Sequence, residues 1–332
     1  MSDVIVLGTD QRLWLEHAPF GNVPPSRDYI DQSVAAFQFL DNQNVLVLGT
    51  GGMVLGTGGN LWLEHPPWAH GPRGLPAREQ IDSNVVGFQG IDAQNVLVLG
   101  ADQRLWWEHA PFGNVPPRRD YIDQSVAAFP WQIGTAQTAQ FLDSQNVLVL
   151  GADGNLWLEH PPWTPVGRIP PREHIDSSVA GFQGLDSQNV MVLGTNRRLW
   201  WEHAPFGNVP PRRDYIDQSV AAFQFLDSQN VLVLGTDGNL WLMHPPWGPT
   251  GRHSPRDHID SNVGAGFQGI DAQNVLVLGT DGNLWWEHAP FGNVPPNREQ
   301  IDSDVADFQA VATTQLLRHA RAGGQSGKLQ TS

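Results

Sequence analysis

Apolar residues in this chain come in short, dense runs. Val45–Leu48, Val147–Leu150 and Val275–Leu278 all read Val-Leu-Val-Leu. A strand with one wet face alternates apolar and polar positions, so an unbroken run predicts a strand covered on both faces. Around Val231–Leu234 the neighbouring pattern can be read in full. Val220-Ala-Ala-Phe-Gln-Phe-Leu226 predicts a first strand, and Asp227-Ser-Gln-Asn230 a turn into the second. Thr236-Asp-Gly-Asn239 predicts a tight hairpin, for which Asp-Gly is suited, and Leu240-Trp-Leu-Met-His244 a third strand. A Pro-rich loop then leads to Arg256-Asp-His-Ile-Asp260, a short outer strand or a wrapped loop. None of these runs approaches the length of a membrane span.

The unit recurs. Leu-Trp pairs begin at Leu13, Leu61, Leu105, Leu156, Leu199, Leu240 and Leu284. A period of roughly 40–45 residues built from short β-segments is that of a propeller blade. The expected fold is all-β, a seven-bladed β-propeller of repeats of about 41–44 residues. The chain enters at a second strand, Asp3–Leu7, and returns to a first strand at Val305–Val311. Seven units are complete only if the N- and C-terminal strands pair, which also removes exposed sheet edges. One domain is expected over 1–312, with a partly disordered tail over 313–332.

Two forms of the repeat alternate. Repeats 1, 3 and 5 carry Ala-Pro-Phe-Gly-Asn-Val-Pro-Pro after the His, whereas repeats 2, 4 and 6 carry Pro-Pro-Trp. The hairpin turn alternates in step, Gln-Arg or Arg-Arg in the first form and Gly-Asn in the second. An odd ring cannot alternate strictly, and repeat 7 mixes the two: Gly282-Asn283 with Phe291-Gly-Asn-Val-Pro-Pro. This pattern suggests growth by a two-blade unit. Insertions around Met53 and over Pro130–Ala139 should bulge out as loops or shift a strand.

Composition narrows the function. There are 35 Gly and 26 Pro, as suits a turn-dense β-protein, and 14 Trp, which is many. A net charge of −15 argues against nucleic acid and against anionic membranes, because phosphate binding needs a basic patch. No membrane insertion is expected. The absence of cysteine removes disulfides and thiolate metal sites, and no cofactor is implied. The first residues lack a basic segment and a long apolar core, so synthesis in the cytoplasm without a signal peptide is expected, with release outside the cell left open.

Three repeated motifs could carry chemistry. Glu-His follows the Trp in six repeats, Glu16-His17 to Glu287-His288, and Met243 replaces Glu in the sixth. Neighbours on a strand point to opposite faces, so the two cannot act on one atom, and a structural role is expected. Arg-x-x-x-Asp recurs in all seven repeats, Arg27 with Asp31 through Arg298 with Asp302, and reads as an ion-pair clasp joining blades. The third motif is aromatic. Trp68, Trp163 and Trp247 sit in Pro-rich loops, with Phe20, Phe112, Phe206 and Phe291 in the equivalent place. An aromatic face beside amide or carboxylate groups can recognise a sugar. Glu64 and Glu159, with turn residues Asn60, Asn155 and Asn239, are the expected polar partners. The alternative is that these rings fill the space between blades. Trp14 and Trp62 are expected in the core. No catalytic motif of hydrolases, metalloproteases or phosphate loops occurs, so no enzyme activity is expected.

The Val-x-Val-Leu-Gly-Thr-Asp-Gly-Asn-Leu-Trp unit resembles repeats of tachylectin- and tectonin-type propeller lectins over nearly the whole chain. Thr-Asp-Gly-Asn-Leu-Trp also resembles the Asp-box hairpin of sialidase-like propellers, but is one residue shorter and lacks an Arg cluster and Tyr nucleophile. The lectin resemblance implies sugar sites repeated around the ring, and hence a multivalent, non-catalytic carbohydrate-binding protein whose partners are glycans or glycoproteins. The alternative is a protein-interaction scaffold built on the same ring. A glycoside hydrolase would need an acidic pair that stands apart from the repeat, and none does.

Overall fold

The computed structural model describes residues 3–20, 26–41, 44–50, 59–67, 77–113, 118–127, 139–143, 145–163, 166–207, 212–227, 229–247, 254–292 and 297–311. Their strands form the seven blades the repeats call for, each of four antiparallel strands. In the sixth blade the order is Val220–Asp227, Asn230–Gly235, Leu240–Met243 and Arg256–Asp260, so the segment left open between strand and loop is a strand. The second and third blades share the 16-residue strand Ala77–Asp92. It is the outer strand of one and runs on as the innermost strand of the next. Closure follows the chain ends: Val305–Ala310 pairs with Val4–Gly8, with Phe308 opposite Val6.

The all-apolar second strands owe their pattern to having a blade on either side. Leu46 and Leu48 point into a cluster with Val96 and Val98 of the following blade. Val45 and Val47 point the other way, into a cluster with Ile5 and Leu7 of the preceding one. The Leu face of each blade thus meets the Val face of the next. Burial of each such side chain contributes roughly 1.5–3 kcal/mol.

The innermost strands meet through size complementarity. Leu40 lies over Gly90, Leu142 over Gly184 and Leu226 over Gly269, and a Cβ at any of these glycines would overlap the leucine. Close approach therefore requires glycine in these alternate blades. Glutamines add a polar belt that the sequence reading missed. Gln38 Nε2 donates to the Gly90 carbonyl at 3.2 Å, and its Oε1 accepts from the Gly90 N–H at 2.7 Å. Gln140 does the same with Gly184. Gln183, Gln224, Gln268 and Gln309 accept from the backbone of the following blade.

The insertion around Met53 lies outside the described residues, as do 128–138. Ala139 opens the strand Ala139–Asp143, while Val126 bridges separately to Gly151, so the innermost strand of the fourth blade is divided at this place. The tail, 313–332, also lies outside the described residues.

Candidate functional site

Each blade has two chemically different faces, set by alternation along its third strand. In the third blade Trp106 and Glu108 share one face with Arg119 and Tyr121, whereas Trp107 and His109 share the other with Arg118 and Asp120.

The first face holds an inter-blade clasp. Seven arginines reach the aspartate of the preceding blade: Arg27 to Asp302, Arg78 to Asp31, Arg119 to Asp82, Arg172 to Asp123, Arg213 to Asp176, Arg256 to Asp217 and Arg298 to Asp260, at 3.0–3.8 Å. The clasp joins blades as expected, although each Arg bonds the preceding blade's Asp and not the Asp of its own motif. Each guanidinium also lies 3.9–4.4 Å from the centre of the Leu-Trp indole in its own blade, a cation–π contact. Trp14 and Trp62 are accordingly half-buried under Arg27 and Arg78, not in the deep core.

Between Arg and Asp lies a buried glutamate. Glu16, Glu64, Glu108, Glu159, Glu202 and Glu287 have no solvent exposure. Each carboxyl is pushed up to about 9, first by burial and then by the neighbouring Asp of the preceding blade, with the Arg opposing. Both carboxyl oxygens of Glu16, Glu64, Glu108, Glu159 and Glu287 are buried without a hydrogen-bond partner, which favours the neutral acid. In the sixth blade Met243 fills the place, fully buried.

The second face holds the histidines. His109 Nδ1 lies 3.1 Å from Asn95 Oδ1, and Nε2 3.0 Å from Asp120. Asn95 Nδ2 donates to both oxygens of Asp92, which fixes the amide and makes Nδ1 the donor. His203 repeats this with Asn189 at 2.9 Å and Asp214 at 3.1 Å, and His244 with Asn230 at 2.9 Å and Asp257 at 3.1 Å. Glu and His of one pair thus lie on opposite faces of the blade, the Glu at the inter-blade clasp and the His bonded within its own blade, as the strand period requires.

On this second face the third blade carries a shallow cleft of about 310 Å3, lined by Gln94, Asn95, Trp107, His109, Ala110, Arg118 and Asp120. Asn95, His109 and Arg118 form a row across three strands at one end of the blade. The Trp107 ring packs against His109 at 4.7 Å and Phe141 of the next blade at 4.9 Å. Its Nε1 is buried without an acceptor, as is Nε1 of Trp201 in the fifth blade. Among the described residues no group of three or more His, Asp or Glu is placed to hold a metal ion.

The expected sugar-binding residues are not brought together. Phe20, Phe112 and Phe206 are buried between blades, and Phe291 packs against a similar cluster. Phe20 meets Trp286 of the seventh blade at 5.6 Å. The expectation of exposed Phe platforms is corrected, because each ring fills the gap beside the third strand of the preceding blade. Trp163 and Trp247 are half-buried in the same way, Trp247 against Trp201 at 6.1 Å. Trp68 lies outside the described residues. Glu64 and Glu159 belong to the buried clasp and do not face solvent. Asn60, Asn155 and Asn239 sit at the hairpin end of the third strand, the opposite end from the loop aromatics. Asn155 and Asn239 stabilise the turn by bonding Asp153 and Asp237, whose carboxyls these hydrogen bonds hold below the usual range.

The cleft residues Trp107, His109, Arg118 and Asp120 were missed as a group. Their signal was in the sequence: only repeats 3 and 5 pair a second Trp with an added Arg, and Leu105–Asp123 is identical to Leu199–Asp217 throughout.

No family model matches the chain, and no curated protein matches it. Solved structures do. The C-terminal WD40 domain of Sif2 is 12% identical, with a TM-score of 0.53 over 91% of this chain and 82% of that one. A functionally unknown protein from Desulfotomaculum acetoxidans is 9% identical, with a TM-score of 0.55 over 94% and 99%. The computationally designed Ika8 protein is 13% identical, with a TM-score of 0.50 over 93% and 84%. The likeness is one of fold. At these identities it establishes the β-propeller and carries no ligand, and the resemblance to propeller lectins stands only at the level of that architecture.

Proposed function

We propose that this chain is a non-enzymatic interaction scaffold, a rigid ring that binds partner proteins through its exposed repeats. One observation carries the reading over a lectin. Every described tryptophan has its ring packed against an arginine, another aromatic ring or an apolar cluster. These contacts leave most of the rings half-buried and less available for the stacking a pyranose needs. The ring's solved neighbours include a WD40 domain, which agrees with a scaffold at the level of fold.

Carbohydrate binding is kept as a second reading because the third-blade cleft sets Gln94, Asn95 and Asp120 beside an indole. Two measurements separate them. Capture of one defined partner by the purified ring, at a stoichiometry near one, supports the scaffold. Saturable titration by a monosaccharide chosen from a glycan array, with several sites per chain, replaces it with the lectin.

A further inference from the structure

We propose that the cleft of the third blade, and the matching residues of the fifth, are two sites for a carboxylate on a partner peptide. This deepens the scaffold reading and rests on it. The argument begins with unmatched donors. The seven clasp arginines all bond aspartates, and Arg12 and Arg104 bond the turn residues Asp10 and Asp102. Arg118 and Arg212 are exposed on the second face, beside the histidines, and have no ion pair among the described residues; Arg197 and Arg198 are also unpaired but lie at the hairpin end of the fifth blade. In the same two blades the indole N–H of Trp107 and of Trp201 is buried without an acceptor. A buried donor of this kind is destabilising until something accepts from it.

The comparison with the other blades is informative. In the seventh blade Asn297 stands where the cleft arginine would be, and Trp286 Nε1 donates internally to Asn274 at 3.2 Å. The first, second, fourth and sixth blades have Leu15, Leu63, Leu158 and Leu242 in place of the second Trp. Their positions before the clasp arginine hold Ser26, Ala77, Pro171 and Pro255. An unpaired guanidinium at this position and an indole N–H without an acceptor therefore occur together twice in seven blades.

Those donors call for an acceptor-only group. The carboxylate already at each of the two places is engaged, Asp120 by His109 and Asp214 by His203. A planar guanidinium matches a planar carboxylate through two parallel hydrogen bonds. The cleft's 310 Å3 is at the small end of ligand pockets and has room for a glutamate residue. A sugar acid would offer the same carboxylate, but the Trp107 ring is already packed against His109 and Phe141. At a net charge of −15 the chain repels an acidic partner at long range. Recognition then depends on contact and on engaging both sites at once, where a second attachment raises the effective concentration.

The test is a titration of the full chain, labelled with 15N at tryptophan, by the blocked tripeptide Ala-Glu-Ala and by its Ala-Gln-Ala analogue. Two indole N–H resonances should shift with the Glu peptide and stay in place with the Gln peptide. Arg118→Ala should abolish one shift and Arg212→Ala the other. No shift, equal shifts with both peptides, or a shift with methyl glucuronide alone would overturn the proposal. The double variant separates this from the broader reading. If it still captures the ring's protein partner, the scaffold stands and the carboxylate sites fall. If the indoles shift while the unmodified ring captures no partner, the scaffold falls.

Discussion

Arg119 donates to Asp82 at 3.0 Å although the two lie on different blades, 37 positions apart. The same guanidinium covers the Trp106 indole and reaches Glu108 at 3.5 Å. One side chain thus ties an ion pair, a buried acid and an aromatic ring across an interface that recurs around the propeller.

The buried glutamates set the direction of pH dependence. Their folded pKa of about 9 lies above the ordinary carboxyl value of 4.5. Their stabilisation is complete below the unfolded value and is lost as pH rises through the folded one. Asp153, Asp237 and Asp281 are shifted downward and act oppositely on the acid side. The thermal midpoint should be highest near pH 5 and fall steadily towards pH 9. A scanning-calorimetry series that is flat or rising over that range contradicts the assignment.

The sixth blade already performs one substitution experiment, with Met243 in place of Glu. Glu108→Met should therefore leave stability at pH 7 unchanged or raise it by about 1–4 kcal/mol. The pH slope should become shallower. Denaturant unfolding at pH 5 and pH 8 compares the two.

The closing strand carries its own titratable group. Asp307 stands where other blades have Ala36, Gly87 or Ala222, and burial pushes its carboxyl up to about 7. Its contribution is lost as pH rises from its unfolded value through 7. Asp307→Ala should raise the thermal midpoint at pH 8 and leave it nearly unchanged at pH 4.

Phe112 separates a packing role from an exposed platform. It is 7% exposed among Leu63, Val96 and Val98. Phe112→Ala should cost about 3–5 kcal/mol by chemical denaturation. A surface platform would lose almost nothing.

Hairpin turns differ in backbone strain. Gln103 and Arg197 hold φ of 62° and 63°, where Gly154 and Gly238 stand in the alternate blades. The left-handed region costs a non-glycine residue about 1–2 kcal/mol, partly offset by the entropy glycine loses on folding. Gln103→Gly and Arg197→Gly should each stabilise the ring by about 0.5–1 kcal/mol, read as a shift in denaturation midpoint.

The blades were legible in the sequence because the relevant signals are local and repeated: Val-Leu-Val-Leu, Asp-Gly-Asn and Leu-Trp each specify an element within a few residues. Partners across blades were not. Nothing near Arg119 indicates that it bonds Asp82 in preference to Asp123, since the choice depends on how one sheet stacks on the next. The same stacking decides whether Phe112 meets water or Leu63. Gln38 and its counterparts look like ordinary polar strand residues until the neighbouring backbone is in place. The cleft could have been found by comparing repeats for what differs. Arg118 and Trp107 coincide only where Arg212 and Trp201 do.

The pairing of Val4–Gly8 with Val305–Ala310 has a consequence for biosynthesis. The first blade gains its innermost strand only when the last described strand has left the ribosome. Until then, Val4–Gly8 has an unpaired edge. Blades formed during translation must wait as an open arc, and the ring locks in a single event once Val305–Ala310 is available.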